Sequence, residues 1–188
     1  GVVVECGVLF GGGLMSWAHF SSILEPANHQ RRIFGFDTFE GFPDVTENDK
    51  SKSSSQFCKN GELYVDSELD LKTGINIYDK TRFFNNVPKV SLIRGNVLNT
   101  VPEFLEENQQ LVISLLYLDF DIYKPTKFCL ETFLPRMTKG SIIAFDQLNN
   151  PQWPGETKAA FEVFGGFNKV SIKKIPGFGT SISYLEII

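Results

Sequence analysis

Short apolar runs that lack two-residue alternation recur along the chain, with helix-like segments between them. Val2 to Val4, Arg32 to Phe36, Lys89 to Ile93, Leu111 to Leu118 and Ser141 to Phe145 read as strands. Runs of Val, Ile and Leu with no polar residue at every second position belong to strands buried on both faces. Gly12 to Leu24, Val101 to Asn108, Pro125 to Leu134 and Glu156 to Phe164 read as helices. Buried strands alternating with helices imply right-handed βαβ units. The expected fold is therefore α/β and Rossmann-like, a mostly parallel central sheet with helices on both faces. Two late runs, Lys169 to Ile175 and Ser181 to Ile187, have only PGFGT between them and should form an antiparallel hairpin at one edge.

Residues 38–81 break this rhythm with the polar stretch TENDKSKSSSQFCKNG. So long an excursion inside a compact domain reads either as a lid or mobile insertion over a site, or as a disordered surface loop. Phe57, Leu63, Tyr64 and Val65 give it something to bury. The 188 residues otherwise suit one domain spanning the chain. The 18 Phe fit a bulky aromatic core. A net charge of -4 without a basic face argues against nucleic acid as partner. Cys6, Cys58 and Cys129 are odd in number and far apart, which is neither a disulfide framework nor a zinc site and points to a reducing, cytoplasmic setting. No run reaches the ~18 apolar residues of a membrane span, so no membrane partner is expected. The chain opens directly on a strand, which implies a segment ahead of it.

The candidate chemistry lies at strand ends. In an open parallel sheet, ligands bind beyond the carboxyl ends of the strands. The five parallel runs are followed by Glu5 and Gly7, by Asp37, by Gly95 and Asn96, by Asp119 and Asp121, and by Asp146 with Gln147, Asn149 and Asn150. Any one such residue could simply cap the next helix. Five acidic or amide ends at one rim make a polar pocket the better reading. The glycines Gly7, Gly11, Gly12 and Gly13 fit neither the dinucleotide fingerprint nor a P-loop. They leave room for a ligand to press against backbone. Glu5 suits a cation, and Asp37 is placed to accept two ribose hydroxyls. A ligand with a cationic end, a ribose and no phosphate is S-adenosylmethionine.

The stretches VECGVLFGG, IFGFDTFEGFP, IRGN, LDFDIYKPT and GSIIAFDQ resemble, in order and spacing, the macrocin O-methyltransferase (TylF-type) family. The resemblance runs from Val3 to about Phe164 and is most specific in GFDTFEGFP and LDFDIYKPT. It implies a class I S-adenosylmethionine-dependent enzyme that methylates a hydroxyl of a sugar or glycosylated small molecule. It implies that Glu5, Gly7, Gly11 and Gly12 line the methionine part of the cofactor. It places Asp37 on the ribose beside Thr38 and Phe39, Asn96 and Val97 at the adenine, and Asp119 at the sulfonium and the acceptor hydroxyl. It also implies a divalent ion, Mg²⁺, held by Asp119, Asp146 and Gln147. Gln147 is an amide where the family has a carboxylate, so the ion is expected to be weak and to fill mainly with substrate. The family's usual N-terminal segment, which closes over the site, would lie ahead of Gly1.

An alcohol is a poor nucleophile while protonated, so a carboxylate base or a metal must help. Asp119 is the candidate for either role. His19 and His29 read as surface or packing residues. Other readings are a non-catalytic S-adenosylmethionine-binding module of the same fold, and a methyltransferase for a phenolic or other small-molecule acceptor. An NAD-dependent oxidoreductase is disfavoured by the glycine pattern. A homo-oligomer is compatible with all of these.

Overall fold

The computed structural model describes residues 1–174 and 182–188. Among the described residues, seven strands form one sheet in the order β3-β2-β1-β4-β5-β7-β6. They are β1 (Val2–Cys6), β2 (Ile33–Asp37), β3 (Val90–Arg94), β4 (Ile113–Leu118), β5 (Met137–Phe145), β6 (Ile172–Lys174) and β7 (Ser183–Glu186). β1 to β5 pair in parallel, and β7 pairs antiparallel with both β5 and β6. The expected α/β architecture and the antiparallel pair at one edge are both present. The PGFGT connection, residues 176–180, lies outside the described residues.

Among the described residues, five α-helices cover the sheet: α1 (Gly12–Leu24), α2 (Glu68–Thr81), α3 (Val97–Glu107), α4 (Tyr123–Phe133) and α5 (Pro154–Phe164). Successive residues of β1 point to opposite faces. Val2, Val4 and Cys6 join one core with Phe104 of α3, Phe133 of α4 and Ala160 of α5. Val3 joins the other with Leu14 and Ala18 of α1 and Leu71, Ile75 and Tyr78 of α2. β1 is buried at all five positions, as its unbroken apolar run requires. Cys6, Cys58 and Cys129 are buried free thiols.

The structure differs from the sequence reading most in α2, in α3 and in β5, which begins at Met137 rather than Ser141. α2 occupies residues read as part of a long insertion, and it supplies the cover for the β2 side of the sheet. α3 begins four residues earlier than expected, at Val97, because Asn96 caps it: its Oδ1 accepts the Leu98 N–H at 3.1 Å. Pro102 lies inside α3, although proline favours the first turn of a helix. Among the described residues, no helix is long and apolar enough to cross a membrane.

Candidate active site

The strand order reverses direction between β1 and β4, and such a switch point opens a crevice at the carboxyl ends of the strands. Backbone hydrogen bonds carry the sheet one residue past those ends. Gly95 N–H donates to Asp37 O at 2.9 Å, Gly7 N–H to Phe36 O at 2.9 Å, Asp119 N–H to Cys6 O at 2.8 Å and Asp146 N–H to Leu118 O at 3.1 Å. Asp37, Gly7, Asp119 and Asp146 are thereby fixed side by side along one rim.

Gly7 sits where two chains nearly touch. Its φ is +90°, and a Cβ there would collide with the carbonyl of Asp119. Only glycine satisfies both conditions. The turn that follows is shaped by Asp37. Its Oδ2 accepts the N–H groups of Val8 at 2.7 Å and Leu9 at 2.9 Å, and its Oδ1 accepts Phe39 N–H at 2.7 Å. Oδ1 retains capacity for a further donor.

Glu5 lies beneath this turn, 2% exposed, and its Oε2 accepts the indole N–H of Trp17 at 2.7 Å. A Cβ on Gly13 would come within 2.7 Å of that same oxygen, so the first turn of α1 closes directly over the carboxylate. Burial raises the Glu5 pKa to about 8, against the Trp17 hydrogen bond, which lowers it.

A cleft opens on this rim at the carboxyl ends of β1, β2 and β4. Of the residues singled out from sequence, Gly7, Asp37, Thr38, Gly95, Asn96, Val97, Asp119 and Asp121 line it. Glu5, Gly11, Gly12, Phe39, Asp146 and Gln147 do not. Gly11 and Gly12 cap and begin α1, and Phe39 is buried in the α1 and α2 core. The cleft also uses residues that sequence reasoning missed, notably Phe42, Pro43 and Phe120. The apolar FEGFP run was a signal for the first two.

Acids crowd the far side of the cleft. Asp119 is raised to about 8, first by burial and then by Asp146, Asp121, Glu5 and Asp37. Asp121 is raised to about 7, first by burial and then by Asp146. It also adopts φ +61°, a strained conformation for a residue with a side chain. The ring of His19 packs on Tyr78 at 4.8 Å and that of His29 on Phe84 at 6.0 Å.

Asp146 and Gln147 face one another. The Tyr117 hydroxyl donates to Asp146 Oδ1 at 2.9 Å, Gln147 Nε2 donates to Asp146 Oδ2 at 2.9 Å, and Asn150 Nδ2 donates to Gln147 Oε1 at 2.5 Å. Gln147 thus turns a donor, not an oxygen, toward Asp146. As arranged, Asp119, Asp146 and Gln147 do not fit Mg²⁺ or Ca²⁺, which take oxygen ligands. Among the described residues, no three acidic, His or Cys side chains converge in the geometry of an ion site.

Segment 38–66 crosses this rim and is tied to it. Asp49, 1% exposed, accepts the Thr46 N–H at 2.7 Å and the Tyr123 N–H at 2.5 Å. Ser55 N–H donates to Gln152 O at 3.0 Å, and Lys124 pairs with Asp44 at 2.9 Å.

Comparison with known proteins agrees with this fold. The family model of macrocin-O-methyltransferase (TylF) matches residues 1–174. The crystal structure of CalS11, a calicheamicin methyltransferase, is 41% identical with a TM-score of 0.92, covering 99% of this chain and 72% of that one. An apo structure of CalS11, described as a TDP-rhamnose 3'-O-methyltransferase, is 37% identical with a TM-score of 0.82, covering 99% and 71%. The O-methyltransferase NovP shares the fold at 22% identity and a TM-score of 0.74, covering 100% and 72%. No curated protein sequence matches significantly. The chain belongs to the macrocin O-methyltransferase (TylF) family and is an O-methyltransferase.

Proposed function

We propose that the chain methylates a hydroxyl of a sugar carried on a nucleotide or a small-molecule scaffold, with Asp119 as the base. The observation that carries this is the placement of Asp37 and Asp119 on either side of the Gly7 turn within one cleft. The acceptor class is supported by CalS11, described as acting on TDP-rhamnose.

In this reading, the cofactor's ribose donates to the remaining capacity of Asp37, and its adenine lies by Asn96 and Val97. Its amino-acid end meets the Gly7 turn above Glu5. The acceptor oxygen attacks the methyl carbon in line as the carbon–sulfur bond breaks, leaving a neutral thioether. The hydroxyl proton passes to the Asp119 carboxylate. Holding both reactants in line supplies much of the acceleration.

Asp119 is poised for this step by its surroundings. In the ligand-free chain its pKa of about 8 keeps much of it protonated at neutral pH. A sulfonium arriving nearby favours the charged form. The cofactor itself would therefore unmask the base, and loss of the positive charge on transfer would favour protonation again. Phe42, Pro43 and Phe120 give the acceptor an apolar wall that excludes water. Calorimetric titration with S-adenosylhomocysteine and then NAD tests the cofactor: the first should bind and the second should not.

A further inference from the structure

We propose that the side-chain amide of Gln147 stands where a cation would neutralise Asp146, so that this strand-end cluster takes no divalent ion. The proposal rests on the reading of this rim as the reaction site.

The orientation of the amide is dictated step by step from the backbone. The Gln152 N–H donates to Asn150 Oδ1 at 2.9 Å, which identifies that atom as the oxygen. The other arm of Asn150 is then its NH₂, and it donates to Gln147 Oε1 at 2.5 Å. The remaining arm of Gln147 is its NH₂, and it donates to Asp146 Oδ2 at 2.9 Å. Tyr117 occupies Oδ1. Each oxygen of Asp146 thus receives a proton from a neighbour, and the same amide favours the ionised form of Asp121.

The backbone at this point is equally constrained. The Gln147 N–H donates to Oε1 of Glu156 at 2.8 Å, and Glu156 is fully buried in the first turn of α5.

A dication would need oxygen from both Asp146 and Gln147. Turning the Gln147 oxygen toward an ion breaks its bonds to Asp146 and Asn150. It also brings the NH₂ of Gln147 against the NH₂ of Asn150, a donor against a donor. The ion would have to offset all of this as well as its own dehydration. A carboxylate at position 147 reverses every term. It has no proton to give Asp146, it still accepts from Asn150, and it adds a negative charge that a cation would neutralise.

The test is calorimetric titration of Mg²⁺ alone into the native chain, Gln147→Glu and Gln147→Asp, each checked for a cooperative melt. Gln147→Glu has the same shape as the native residue, and Gln147→Asp is the second variant should it fold poorly. The native chain should show no saturable heat up to about 10 mM, and an acidic variant should bind at about 1 mM or tighter. Saturable binding below about 10 mM by the native chain overturns the proposal. So does the absence of binding in folded acidic variants, because residue 147 would not then be what excludes the ion. S-adenosylhomocysteine binding is measured in parallel. Its absence would count against the functional reading and leave the Mg²⁺ result to decide the role of the amide.

Discussion

Gly7 and Asp119, the first residues beyond β1 and β4, pack so closely that Gly7 has no room for a Cβ against the Asp119 carbonyl. This contact sets the floor of the cleft at the switch point of the sheet. Gly7→Ala must both force a left-handed φ on a residue with a side chain and push the two strand ends apart. It should cost at least about 2 kcal/mol in urea unfolding and abolish binding of S-adenosylhomocysteine. A variant with native stability and native affinity would show that the two strand ends are not held as described.

Asp37 has two duties that one substitution removes together. It organises the turn through Val8 and Leu9, and in the proposed complex it holds the ribose. Loss of charge-assisted hydrogen bonds costs roughly 1.5–3 kcal/mol, so Asp37→Ala should weaken S-adenosylhomocysteine at least about tenfold. The melt should remain cooperative. Unchanged affinity would remove Asp37 from the cofactor site.

The Asp119 pKa gives a pH dependence with a definite sign. Its carboxyl is raised from 3.8 to about 8 in the folded chain, so between those values the folded state holds a proton that the unfolded state releases. The contribution of this group to stability therefore falls as pH rises through that window. Asp119→Asn escapes the loss, and its melting temperature relative to the native chain should climb from pH 5 to pH 8, both within that range. Activity should run the opposite way, with native kcat/KM rising with pH until the base is ionised. A flat difference in melting temperature would contradict the buried, crowded setting of Asp119.

Asp49 pins the rim-crossing segment to the start of α4. Asp49→Ala leaves the Thr46 and Tyr123 N–H groups without that partner and should cost about 3 kcal/mol. Hydrogen exchange over residues 44–58 should quicken in the variant. In the native chain it should slow when cofactor and acceptor are both present. Equal exchange with and without ligands would reduce the segment to inert structure.

How much of this was legible depended on the kind of signal. The buried strands announced themselves because apolar runs such as Val2 to Val4 and Leu111 to Leu118 fit little else. Their ends then gave Asp37, Asn96 and Asp119, since in a parallel sheet the end of a run is the place where a side chain can meet a ligand. α2 was less visible. Leu71, Ile75 and Tyr78 do form a helical stripe, but exposed Leu69 and Ile77 and a central Gly74 blur it. The polar stretch ahead of it also invited reading the whole region as one loop. Glu5 and Asp146 could not be located relative to the cleft, because whether a rim carboxylate faces a ligand or a neighbour depends on partners far away in sequence. Trp17 and Tyr117 settle it only once the chain is folded. The orientation of Gln147 depended on Asn150 and Gln152 in the same way.

The most direct test is methyl transfer itself. The native chain is incubated with isotopically labelled S-adenosylmethionine and a panel of nucleotide-linked and scaffold-linked sugars, TDP-rhamnose among them, and the products are read by mass spectrometry beside Asp119→Asn. The account predicts a singly methylated sugar hydroxyl from at least one acceptor, with turnover nearly lost in Asp119→Asn. Full turnover by Asp119→Asn, or S-adenosylhomocysteine binding with no sugar methylated across the panel, would contradict it.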